Sequence, residues 1–155
     1  MNEPKSNPAL TKALGLLSKR SYSKAILVDK LKDKKFALED IDEAVKKLEA
    51  LNFIDDKRYA ESLVREYSSL RRYGAGRIKL KLREKKISQE IILEVLESIS
   101  DQTEQDNLDA LAQKQLEKNK NLPREKLINR TLGYLLRRGY SYDKCKKIIN
   151  NYLGK

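Results

Sequence analysis

Histidine is absent from the 155 residues, and cysteine occurs once, as Cys145. Together these absences remove Ser-His-Asp and Cys-His catalysis, histidine-ligated metals and every cysteine-rich zinc arrangement. A single thiol also excludes an internal disulfide, in keeping with a reducing cytosol. With 3 prolines and 6 glycines beside abundant Leu, Lys, Glu and Ala, the composition is that of a helical chain with few long loops. No apolar run approaches the roughly 20 residues that span a bilayer. Met1-Asn2-Glu3-Pro4 lacks the basic region and apolar stretch of a secretory signal, so a soluble cytoplasmic protein without a membrane partner is expected. Negative charge is in deficit. Lys and Arg number 34 against 23 Asp and Glu, giving a net +11 and a pI near 9.6, which favours an anionic partner such as nucleic acid.

What is present is helical periodicity. Ile41, Ala44, Leu48 and Leu51 recur at steps of three and four, as do Tyr59, Leu63, Val64 and Tyr67, and Cys145, Ile148, Ile149, Tyr152 and Leu153, each set forming one buried stripe. Helix starts are expected at Asn7 before Pro8, at Ser23, Asp56 and Ser88, at Thr103 with Asp106, and at Pro123 and Ser141. Nine helices of about 10 to 16 residues result. Ile78, Leu80 and Leu82 alternate with cations in the period-two pattern of a strand, but an internal repeat decides for helix over 76–86. A shift of 51 residues places Tyr22 on Tyr73, Leu27 on Ile78, Leu31 on Leu82, Phe36 on Ile87 and Ile41 on Ile92, and a further shift of 53 reaches Leu135, Tyr140 and Cys145. The expected architecture is therefore all-α: a tail over 1–8, then three tandem three-helix repeats over 9–55, 56–100 and 101–155. Units this small expose too much apolar surface to stand alone, so they should stack into an elongated curved array.

The positive charge is uneven. The three repeat-containing thirds of the chain carry nets of +2, +4 and +5, and Arg71 to Lys86 holds eight basic residues against Glu84 alone. Arg71, Arg72, Arg77, Lys79, Lys81, Arg83, Lys85 and Lys86 form the first candidate contact surface, with Ile78 and Leu82 turned inward. Arg130, Arg137, Arg138, Lys144, Lys146 and Lys147 form the second. The alternative for both is a solvated helix face whose cations complement the helix dipole ahead of a C-terminal cap. Tyr22, Tyr73, Tyr140 and Tyr142 stand at turns beside cations, where base stacking and packing on the next helix are both open. The equivalence of Tyr22 and Tyr73 in the repeat favours packing.

Other motifs point away from chemistry. Gly74-Ala75-Gly76 lacks the strand and the Gly-Lys-Ser/Thr spacing of a phosphate loop and reads as a turn and helix start. Cys145 takes the place of Ile41 and Ile92, the position of a small buried apolar residue. No carboxylate spacing singles out an acid–base pair or a metal set. The chain is expected to be neither an enzyme nor a carrier of metal or cofactor.

Asp55-Asp56-Lys57-Arg58-Tyr59-Ala60-Glu61, followed by Arg65, Gly74, Arg77-Ile78 and Leu82, resembles the core signature of the bacterial RecX regulatory proteins. Leu16-Leu17, Arg20 and Tyr22-Ser23 look like that family's first unit, and Tyr134-Leu135 with Arg137-Arg138-Gly139-Tyr140-Ser141 like its third. The resemblance covers about residues 9 to 153. It implies an all-helical, non-catalytic modulator, expected as a monomer, that binds the RecA filament on single-stranded DNA. Such a protein would usually inhibit ATP hydrolysis and strand exchange and promote filament disassembly. The family's usual glycine before the apolar residue of each turn is present only as Gly139, Lys35 and Lys86 standing in the other units. Those two turns are expected to cap differently. Two other readings stay open: a sequence-tolerant nucleic-acid binder that acts without RecA, and a helical-repeat adaptor for another acidic protein.

Overall fold

The computed structural model describes residues 6–154, and among them it contains nine α-helices and no strand. Unit 1 comprises α1 (Pro8–Leu17), α2 (Lys24–Asp33) and α3 (Leu38–Ala50). Unit 2 comprises α4 (Asp56–Arg65), which runs into a π-helical turn at Glu66–Leu70, then α5 (Ala75–Glu84) and α6 (Gln89–Leu96). Unit 3 comprises α7 (Asp101–Lys118), α8 (Arg124–Arg137) and α9 (Tyr142–Leu153). In each unit the third helix packs on both others. The repeat positions Leu31, Leu82 and Leu135 are all fully buried, each in its own core. The ambiguous stretch is helical as expected, its alternation arising because Leu80 is 55% exposed while Ile78 and Leu82 are buried.

Two helices start earlier than the sequence suggests. Asp55, not Asp56, caps α4 by accepting from the Arg58 N–H at 3.1 Å. The shift frees the Asp56 carboxylate to accept from the Lys24 N–H in unit 1 at 2.8 Å. Ser100, not Thr103, caps α7, which adds most of a helical turn in front of the expected start.

The three inner turns close in one way, which corrects the expectation that two of them differ. Lys35, Lys86 and Gly139 take left-handed φ of 64°, 58° and 101°. Their N–H groups donate to Lys32, Arg83 and Leu136, and the following Phe36, Ile87 and Tyr140 donate to Leu31, Leu82 and Leu135. This is the paired bonding of a Schellman cap, with its apolar closing contact supplied by Phe36, Ile87 and Tyr140. The left-handed backbone costs a non-glycine residue roughly 1–2 kcal/mol, a cost the paired bonds offset at both lysines.

Gly139 answers a different need. A Cβ there would stand 2.4 Å from the Arg77 backbone nitrogen, and one on Gly74 would stand 2.5 Å from the Gly139 carbonyl carbon. The Gly74 N–H donates to the Arg138 carbonyl at 2.8 Å and the Gly76 N–H to the Gly139 carbonyl at 3.1 Å. Units 2 and 3 therefore meet backbone against backbone. The π-helical turn adds to this seam by packing on α7, where the Asn107 side chain donates to the Ser68 carbonyl at 3.0 Å.

Candidate functional site

Parts of the two basic runs, separate in sequence, meet at the junction of units 2 and 3. A cleft of about 600 Å³ opens there between the start of α5 and the turn after α8, lined by Arg77, Leu80, Leu136, Arg137, Tyr140 and Lys144 among others. Arg77, Lys79, Lys81 and Arg83 lie on α5, with Lys85 at its C-cap and Lys86 in the turn beyond. Arg71 and Arg72 follow the π-helical turn. Arg130 and Arg137 lie on α8, Arg138 at its C-cap, and Lys144, Lys146 and Lys147 on α9.

Several of these cations are already engaged. The guanidinium of Arg138 lies 4.7 Å from the Tyr73 ring centroid and 5.8 Å from that of Tyr134, and that of Arg77 lies 4.9 Å from Tyr73. Arg138 also donates to the Arg71 carbonyl and Arg77 to the Arg137 carbonyl, the latter at 3.4 Å. The Arg77 guanidinium beside Tyr73 holds that phenol below its usual pKa despite partial burial, with Arg138 and Lys81 adding to the effect. Both arginines thus belong to the seam, where planar guanidinium groups stacked on aromatic rings pack well. Lys86 pairs with Asp29 of unit 1, Lys144 with Glu104 at 3.4 Å and Lys81 with Glu84 at 3.7 Å. Lys146 lies 5.8 Å from the Tyr142 ring.

The remaining eight, Arg71, Arg72, Lys79, Arg83, Lys85, Arg130, Arg137 and Lys147, form no salt bridge among the described residues. They do not share one surface. Arg137 lines the junction cleft, whereas Lys147 lines a separate depression with Asn150 and Asn151. Of the four tyrosines, Tyr140 is buried at 3% exposure and its hydroxyl donates to the Arg72 carbonyl at 2.7 Å. Burial pushes its phenol well above the usual range, so it is a packing residue, as is Tyr73, which pairs with Tyr67 at 5.9 Å. Tyr142 is 54% exposed.

Cys145 is fully buried, and desolvation pushes its thiol up to about 11, far from the thiolate that reacts or binds metal. Among the described residues no group of three or more His, Cys, Asp or Glu is placed to hold a metal ion. Among the described residues no helix is long and apolar enough to cross a membrane.

Three family models match in chain order: "RecX, first three-helix domain" over residues 9–48, the second over 55–96 and the third over 102–149. The chain belongs to the RecX family. A "Regulatory protein RecX" from Chlorobaculum tepidum is 34% identical, the match covering 100% of this chain and 94% of the relative. One from Clostridium perfringens is 33% identical over 88% of this chain, which spans 65% of that relative's length. The crystal structure of RecX from Lactobacillus salivarius has a TM-score of 0.84 at 30% identity, covering 92% of this chain and 93% of the other. RecX relatives are thus named regulatory proteins, and their three-helix units correspond to the three separate cores described above.

One residue of interest went unmarked in the sequence. Leu70 continues the apolar stripe Leu63–Tyr67 by a helical step, yet it is 78% exposed because the wider π-helical turn takes it off that stripe. No sequence signal separates it from a core leucine.

Proposed function

We propose that the chain is a non-catalytic regulator, working as a monomer without a cofactor, that binds the RecA filament on single-stranded DNA. It lowers the filament's ATPase, strand exchange and growth. Membership of the RecX family supports a regulatory role, and the observation that supports an anionic partner is the net charge of +11, with Arg77, Arg137 and Lys144 lining the junction cleft. The cations without ion pairs meet DNA phosphates and acidic protein surface, and counterion release makes that binding salt-sensitive. The tandem units bridge neighbouring filament subunits and bias them away from the active geometry.

The decisive experiment is the steady-state ATPase of preformed RecA filaments on single-stranded DNA as the chain is titrated in, with a DNA-only binding control at the same salt. Loss of ATPase well below one copy per RecA, where bare DNA is barely bound, is expected. An unchanged ATPase beside tight, salt-sensitive DNA binding would instead identify a nucleic-acid binder that acts without RecA. The charge arm of the same test uses Lys79→Glu with Arg83→Glu, because Arg77 is committed to the seam. This pair should weaken filament binding and flatten its salt slope by about 1–2 at an unchanged melting midpoint.

A further inference from the structure

Leu70 is the most exposed large apolar side chain among the described residues, at 78%, and exposed Arg71 and Arg72 follow it directly. This tip is not a loose loop. Arg72 holds a left-handed φ of 53°, a conformation that persists in a non-glycine residue only when its surroundings impose it. Here they do. The Arg71 N–H donates to the Glu66 carbonyl at 3.2 Å and the Tyr73 N–H to the Tyr67 carbonyl at 2.9 Å. The Arg71 carbonyl accepts from Arg138 and the Arg72 carbonyl from the Tyr140 hydroxyl at 2.7 Å. Two residues of unit 3 thereby clamp both arginine carbonyls of a unit 2 turn.

We infer that Leu70, Arg71 and Arg72 form a preorganised docking tip for an acidic protein surface with an apolar pocket, Leu70 filling the pocket and the arginines pairing with carboxylates at its rim. On the RecA-filament reading, upon which this rests, the occupant is the protein of the filament and not its DNA. Charge complementarity selects an anionic partner. The exposed Leu70 selects protein, because phosphates would satisfy the two arginines but leave this aliphatic side chain in water, whereas an apolar pocket on a protein buries it. A clamped tip loses little conformational freedom on docking, the condition under which a small contact contributes strongly to affinity. Arg138 and Tyr140 act as positioning residues.

The test immobilises a single-stranded oligonucleotide, bare or coated with RecA, and measures binding of the wild-type chain, Leu70→Asp and Leu70→Met on both surfaces. The aspartate variant should lose about tenfold or more in affinity for the coated surface, keep its affinity for the bare one, and melt at the wild-type midpoint; the methionine variant should bind both as wild type does. Should the aspartate variant melt early, Leu70→Ala carries the test, with about a threefold loss confined to the coated surface. Equal losses on both surfaces would place the tip on nucleic acid and overturn the proposal, as would undiminished binding to the coated one. Failure of the wild-type chain to bind RecA-coated DNA would overturn the filament reading itself and this inference with it.

Discussion

The two junctions between units are built from different materials. Units 2 and 3 interlock through glycine backbone at Gly74, Gly76 and Gly139, with Arg77 and Arg138 flanking Tyr73 and the π-helical turn lying on α7. Units 1 and 2 are tied by carboxylates: Asp56 to the Lys24 N–H and Asp29 to Lys86. Exposed ion pairs are individually weak and screened by salt, whereas a seam at backbone distance leaves no room for adjustment. Similar three-helix units thus need not couple alike. The expectation is that units 2 and 3 open as one block and that unit 1, joined through Leu51–Asp55 and the two carboxylate contacts, moves more freely.

Gly139→Ala gives the largest break in that contrast. Its Cβ would have to displace the Arg77 backbone while φ stays at 101°, and a loss of about 3 kcal/mol is expected in denaturant melting. The loss should appear in the cores of units 2 and 3 and spare that of unit 1. The lysine turns sharpen the comparison with the opposite sign. Lys35→Gly relieves a left-handed side-chain residue without removing any ion pair seen in the structure, and should stabilise unit 1 by about 1 kcal/mol. Lys86→Gly relieves the same strain but gives up the Asp29 pair. Its gain in the same melting experiment should be smaller, and the shortfall reports that pair.

Acid produces the smallest effect and the most selective one. Hydrogen bonding to Lys86, with Lys32 nearby, lowers the Asp29 pKa from its ordinary 3.8. A carboxylate with a lowered folded pKa contributes fully above its unfolded value and loses that contribution as the pH falls through the folded value. As the pH falls below 3.8 the Asp29–Lys86 contribution should fade, and backbone NMR relaxation should show a small gain in independent motion of unit 1 while units 2 and 3 keep a common correlation time. Arginine does not titrate in this range, so the packing of Arg77 and Arg138 on Tyr73 is unaffected by acid.

Most of the fold was legible in the sequence because it rests on periodicity and repetition. The shift that aligned Leu31 with Leu82 and then Leu135 located three fully buried residues and the equivalent apolar positions Phe36, Ile87 and Tyr140, although not that all three turns cap alike. The misplaced starts at Asp56 and Thr103 came from runs with two adjacent or nearby capping residues, where local chemistry does not choose between them. Asp56 was decided by a partner in unit 1. The candidate site was legible as charge but not as geometry. Nothing in the spacing of Arg77 and Arg138 announces that they flank one tyrosine, because that contact joins residues of different units. The exposure of Leu70 was hidden for a similar reason, since a π-helical turn changes register without a signature residue.

The lone Cys145 gives unit 3 a chemical clock. Its thiol is fully buried in the core of α7–α9 and held protonated, so a thiol reagent reaches it only when that core opens. With one cysteine in the chain, the rate of modification reads the opening frequency of a single unit without any engineered label.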